Sequence, residues 1–114
     1  MKTAHFLKPD KITSQNLAAA PLSYTTNYGR KFKLEKVTFH FSQAVTETVT
    51  ITCDSVNGAN YDHVLQAVDL VSETDLVYRP QGEDNFQEGD EIKIQCTNAN
   101  ITGTVYVTIK ASEM

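Results

Sequence analysis

The side chains in this sequence best equipped for chemistry are carboxylates set in polar stretches: Asp54, Asp62, Asp69, Glu73 and Asp75, then Glu83, Asp84, Glu88, Asp90 and Glu91. Calcium takes several oxygen ligands from loops of this kind, and two carboxylates placed on either side of a glycosidic bond can hydrolyse it. A calcium loop also needs a glycine at its bend, and no stretch here has that pattern. Nothing in the spacing singles out two carboxylates as an acid and base pair. They are expected to be solvated loop charge.

The three histidines, His5, His40 and His63, are scattered. His40 stands between Phe39 and Phe41, so on a strand it faces water where they face the core. No second metal ligand lies at strand spacing beside it. Nucleophile elbows, phosphate-cradling glycine loops and dinucleotide fingerprints are absent. The expectation is therefore no catalytic residue, no cofactor and no metal site, and the chain is read as a non-enzyme.

Cys53 and Cys96 each end an apolar phase, after Val49 and Ile51 and after Ile92 and Ile94. They are expected to be buried thiols acting as small hydrophobes. An immunoglobulin-type bridge normally comes with a core tryptophan, and this chain has no Trp. Of the five tyrosines, Tyr106 is the one that strand phase turns outward, which makes it the best candidate platform for stacking a sugar.

These residues need a scaffold, and composition says which kind. With 114 residues the chain makes one domain able to bury a core without staples. Its 14 acidic and 10 basic residues give a net charge of -4, which disfavours a phosphate-backbone partner. No apolar run is long enough to span a bilayer, and Lys8-Pro9-Asp10-Lys11 interrupts the place where a secretory signal needs an apolar centre. Residence in the cytoplasm where the chain is made is the expectation.

Thr, Val and Ile are abundant and favour extended backbone. Period-two alternation recurs between turn signals such as Asn57-Gly58 and Gly89-Asp90. The fold class expected is all-β: an antiparallel two-sheet β-sandwich, jelly-roll-like, of about seven or eight short strands. Residues 1–16 read as an extended N-terminal arm and residues 17–114 as the sandwich domain. In the run from Phe32 to Phe41 the apolar phase changes at Glu35-Lys36, which one extra residue, a β-bulge, would produce. The clearest alternation lies near the C-terminus, where Ile92, Ile94 and Cys96 are followed by Val105, Val107 and Ile109. These two arms are expected to pair as a hairpin with Cys96 opposite Val105, Glu91 opposite Lys110 and Gln95 opposite Tyr106.

One further likeness lies in the order of segments: Phe32-Lys-Leu-Glu-Lys-Val-Thr-Phe-His-Phe-Ser42, Glu47-Thr-Val-Thr-Ile-Thr52, Tyr61-Asp-His-Val-Leu65, Gly89-Asp90-Glu91-Ile92, Thr97-Asn98 and Thr104-Val-Tyr-Val-Thr-Ile109. This order resembles small β-sandwich virion proteins encoded among the head genes of tailed bacteriophages. The resemblance implies a capsid-associated structural protein, decorating the shell or forming the base of a head spike or fibre. It implies assembly in a host cytoplasm into the virion, with capsid or other virion proteins as partners and a homo-oligomeric state. In that setting the arm's Phe6 and Leu7, together with Leu17 just after it, would order on a neighbour, and Gln95 and Tyr106 would remain available to a partner. A carbohydrate-binding adhesion module is the alternative.

Overall fold

Alternating β-branched and polar residues give strands one dry and one wet face, and two such sheets must close on each other. The structure, a computed structural model, describes residues 10–80 and 85–113. In chain order the strands are β1 Lys11–Asn16, β2 Leu22–Thr26, β3 Phe32–Val45, β4 Thr48–Asp54, β5 His63–Asp69, β6 Glu73–Tyr78, β7 Asn85–Phe86, β8 Glu91–Cys96 and β9 Thr104–Glu113. Among the described residues the only helical piece is a 3₁₀ turn at Ala59–Tyr61.

The strands form two antiparallel sheets. One has the order β1-β9-β3-β6, with β7 added beside β3, and the other has the order β2-β8-β4-β5. The pairing is nested: β4 with β5, β3 with β6, β2 with β8, and β1 with β9. This is the rolled hairpin of a jelly roll, and the expected all-β sandwich is what the chain forms.

The inner walls supply the core. Phe32, Leu34, Val37, Phe39 and Phe41 of β3 and Val105, Val107, Ile109 and Ala111 of β9 line one sheet. Val49, Ile51 and Cys53 of β4 and Ile92, Ile94 and Cys96 of β8 line the other. Each large apolar side chain fully removed from water in this way contributes roughly 1.5–3 kcal/mol. At one end Phe86 stacks on Phe32 at 4.6 Å, and Tyr28 leans on the same ring at 4.8 Å. The Tyr28 hydroxyl donates to the Ile109 carbonyl at 3.3 Å, and burial pushes its pKa up to about 12.

The bulge is where alternation places it. Between β3 and β9 the register shifts between Leu34 and Lys36, so Glu35 is the extra residue. That single insertion lets Phe32 and Leu34 face the same side as Val37, Phe39 and Phe41. Glu35 then points aside and accepts a hydrogen bond from the Ser112 hydroxyl at 2.7 Å.

The expected C-terminal hairpin does not form. β8 lies between β2 and β4, and β9 lies between β1 and β3. Cys96 pairs with Leu22 and Val49, whereas Val105 pairs with Gln15 and Phe41. The residues of β8 and β9 expected side by side belong instead to opposite walls of one core. A period of two reports which face is dry, and it carries no information on which sheet a strand joins. The charge partners change accordingly: Glu91 accepts from Asn27 at 3.5 Å, and Lys110 lies 3.7 Å from Asp10.

The expected boundary after residue 16 also moves. Residues 11–16, read from sequence as part of the arm, form an edge strand paired along its whole length to β9. β1 has no buried residue, and Ile12 is 70% exposed. Backbone hydrogen bonds hold it, so no apolar alternation announces it. Residues 1–9 lie outside the described residues.

Candidate functional site

The described carboxylates divide by what they touch. Glu47, in the two-residue link between β3 and β4, is buried. One of its oxygens accepts from the Thr97 hydroxyl at 2.7 Å and the Ala99 N–H at 2.8 Å, and the other accepts from the Asn100 N–H at 2.9 Å. Its own carbonyl accepts from Leu70 N–H at 2.8 Å. One side chain thus ties the β8–β9 crossover to the β3–β4 turn.

Asp90 does the same at the other end of the sandwich. It is buried, and it accepts from the N–H groups of Val56 at 2.8 Å and Gln87 at 2.9 Å. Gly89 beside it has φ +96°, and a Cβ there would come 2.6 Å from a Val56 methyl, so both backbone and space ask for glycine. Asp62 accepts from Ser55 N–H at 2.7 Å and Asp69 from the Thr48 hydroxyl at 2.7 Å. These four organise loop backbone and strand ends. Among the described residues no group of three His, Cys, Asp or Glu is placed to hold a metal. Glu83 and Asp84 lie outside the described residues. Glu47 went unnoticed in the sequence because a lone Glu between two strands carries no motif.

The two thiols stand apart. Cys53 pairs with Ile92 and Cys96 with Val49, four residues along the same β4–β8 ladder. That spacing is roughly 13 Å, well beyond the reach of a disulfide. Both are buried, and burial, assisted by the nearby Glu47 charge, pushes the Cys96 thiol up to about 12. A thiol-specific reagent at pH 8 is therefore expected to leave Cys96 unmodified in the folded protein and to modify both cysteines in denaturant. Rapid labelling of Cys96 under native conditions would contradict its burial.

The outer face of the first sheet offers a row across four strands, in which Ser14, Tyr106, His40 and Asp75 are register neighbours. Tyr106 is 49% exposed, as its phase predicts, and its ring lies 6.3 Å from that of His40. His40 faces water and donates from Nδ1 to Asp75 at 2.8 Å, and the Thr74 hydroxyl donates to the other Asp75 oxygen at 2.8 Å. In the next row Ile12 and Val77 are exposed, flanking Thr108 and Thr38. The His40–Asp75 pair lies open on this face.

The hydrogen bond from His40, then that from Thr74, holds the Asp75 carboxyl below its ordinary value of 3.8. A depressed carboxyl stabilises the fold above the unfolded pKa, and that contribution is lost as pH falls through the folded pKa. In a carbon-detected NMR titration, His40→Ala should move the Asp75 midpoint upward toward 3.8. An unmoved midpoint would remove His40 as the cause.

A second surface lies where the sandwich is open. β5 and β6 are the outer strands of the two sheets on the same side. Neither contributes a buried residue. Leu65, Val68, Leu76 and Tyr78 pack only partly against the core there. A cleft of about 630 Å³, lined by Leu65, Gln66, Val77, Tyr78 and Arg79, opens between the two edges.

The residues expected at a partner surface scatter. Tyr106 is on the outer face of the first sheet and half-buried Gln95 on the outer face of the second, so the two cannot form one patch. Leu17 is corrected outright: it is fully buried in the core, with its N–H bonded to the Gly103 carbonyl at 2.8 Å, and no partner can touch it. Phe6 and Leu7 lie outside the described residues.

No family model matches the chain. No curated protein matches it either. Among solved structures it is similar to the nucleoplasmin-like N-terminal domain of Drosophila FKBP39, with a TM-score of 0.50 and 11% identity over 97% of this chain and 91% of that chain. At that identity the likeness concerns the fold alone, and it agrees with the two-sheet arrangement described above.

Proposed function

We propose that this protein is a non-enzymatic virion structural component of the capsid-associated kind, decorating a shell or forming the base of a head spike or fibre. It reaches the virion after assembly in a host cytoplasm and binds capsid proteins and further copies of itself. The resemblance of the segments from Phe32 to Ile109 to phage head proteins supports the reading. The structural observation that carries it is the open side between β5 and β6. Among the described residues β5 and β6 are outermost, and Leu65, Val68 and Leu76 are only partly buried there, which leaves apolar surface for a protein partner to complete. Of the loop carboxylates that a hydrolase could draw on, Asp62 and Asp90 are engaged with loop backbone.

The test is incorporation into phage particles, comparing the whole chain with one lacking residues 1–9. Removing residues 1–16 would also delete β1, so the shorter truncation is the informative one. The whole chain is expected to co-purify with heads and the truncated chain to do so several-fold less. Absence of the whole chain from particles would refute the reading.

A second reading, a carbohydrate-binding module, draws on Tyr106, which presents half its surface beside Ile12, Ser14 and His40. Binding on a glycan array that disappears in Tyr106→Ala would favour it. An array with no signal would discard it.

A further inference from the structure

What an edge strand can bind depends on the backbone groups its free side offers. The Leu17 N–H bonds to the Gly103 carbonyl, which continues the β1–β9 register by one pair. In an antiparallel ladder the hydrogen-bonded pairs recur at every second residue, so Lys11, Thr13 and Gln15 direct their N–H and C=O groups to β9. Ile12 and Ser14 turn theirs the other way, where among the described residues β1 has no neighbouring strand. Asn16 points outward too, but its carbonyl already accepts from the Ala19 and Ala20 N–H groups.

The other edges carry features that blunt pairing. β2 follows Pro21, and β5 is irregular where its register with β4 shifts between Ile51 and Thr52. β6 carries Glu73 and Asp75, and Pro80 stands just beyond it. β1 has none of these. Its register with β9 is regular along its whole length, and its one charged side chain, Lys11, lies over the Tyr28 ring at 5.3 Å.

The outer side chains of β1 then indicate what fits. Among the described residues Ile12 is the most exposed large apolar side chain. Two residues on, Ser14 is small and stands in register with Tyr106. A hollow of about 440 Å³ opens here, with Ile12, Ser14, Tyr106 and Thr108 in its lining. A knob and a hollow two residues apart on one strand suit a second, antiparallel copy of the same strand. With Thr13 on the two-fold axis, Ile12 of each copy stands opposite Ser14 of the other, and their outward N–H and C=O groups pair. Lys11 then stands opposite Gln15, so no like charges meet. An axis at Ser14 would need the Asn16 carbonyl that the following turn uses. An axis at Ile12 would set Asp10 over the hollow in place of Ile12.

We infer that β1 is the surface through which two copies of this chain pair, edge to edge about a two-fold axis at Thr13, with each Ile12 in the hollow beside the other's Tyr106. This rests on the assembly reading above and names the surface where copies meet. The contact uses the same patch on both copies, so it closes at a dimer. It lies at the opposite end of the sheet from β6, and the β5–β6 opening stays available to a shell.

The test measures mass by sedimentation equilibrium, at concentrations up to roughly 1 mM, for the whole chain, Ile12→Asp and Ser14→Pro. Ile12 and Ser14 are exposed, and proline at 14 removes an N–H that β9 does not use. Thermal unfolding checks that both variants stay folded. The whole chain is expected to reach twice the 12.7 kDa of one chain, and both variants to remain at 12.7 kDa. Residue-resolved hydrogen exchange of the whole chain supplies the signature. The Ile12 and Ser14 amides should exchange about tenfold or more slowly in the dimer than in the monomer, while those of Lys11, Thr13 and Gln15 are protected in both. A whole chain that stays monomeric overturns the inference, and glycan binding by that monomer, lost in Tyr106→Ala, would assign the hollow to a sugar. A dimer whose Ile12 and Ser14 amides exchange freely, or one that survives either substitution, overturns it as well. Particle incorporation separates the two ideas. If the whole chain is monomeric yet enters particles, this inference falls and the shell-binding reading stands. If it dimerises through these amides yet never enters particles, the inference holds and that reading falls.

Discussion

Glu47→Ala is expected to lower the stability of the folded chain by about 3–5 kcal/mol, with the midpoint of thermal unfolding falling by roughly 10–20 °C. The carboxylate accepts three hydrogen bonds, from Thr97, Ala99 and Asn100, and is itself buried. A hydrogen bond to a charged group is worth about 1.5–3 kcal/mol, and neighbouring ones do not add in full. Truncation leaves two backbone N–H groups of the crossover without their acceptor. It also leaves the Thr97 hydroxyl, which accepts from Thr48 N–H at 2.9 Å, without its own acceptor. Glu47→Gln keeps the shape but replaces one accepting oxygen with a donor, and should lose about half as much. Circular dichroism melts of the three proteins check the series. A loss below about 1 kcal/mol for Glu47→Ala would mean that water replaces the carboxylate and the crossover holds without it.

Phe39→Ala should cost about 3–5 kcal/mol, by loss of transfer energy and by the cavity left behind. Phe39 is fully buried and lies mid-strand in β3, between Leu76 of β6 and Val107 of β9 in register. Paired strands on both sides hold the backbone in place, so the site has little freedom to collapse. Tyr106→Ala, on the neighbouring strand but turned outward, should change stability by no more than about 0.5 kcal/mol. Urea unfolding of both variants measures the contrast. Equal losses would show that Tyr106 is packed rather than presented.

Particular residues show how far a sequence reaches here. The inner walls were legible because Val, Ile and Phe alternate with Thr, Lys and Gln, and burial has the same period. The bulge at Glu35 was legible because a slip of one residue inverts every later side chain. Strand partnership was not, since Ile92, Ile94 and Cys96 would be equally dry against any apolar wall. β1 escaped notice because Lys11, Thr13 and Gln15 are the residues it turns inward at an edge. Of the candidate surfaces, Tyr106 followed from phase alone. The β5–β6 gap did not, because Val64-Leu65 beside a register shift lets either face look apolar, and only the sheet order shows that both strands are outermost.

The nesting of the strand pairs also dictates a sequence in time. The innermost pair brings Cys53 to His63 across a short turn, a closure of the kind that takes microseconds. The outermost pair brings Lys11 to Ile109, the two ends of the described chain. Each successive pair must close a longer loop before its contacts repay the cost, which places this topology among the slow folders, at milliseconds to seconds. During synthesis β8 and β9 are the last partners to become available. Until they arrive, β2, β3 and β4 expose the apolar faces that later form the core. The interval before the roll closes is when this chain is most open to the wrong partner.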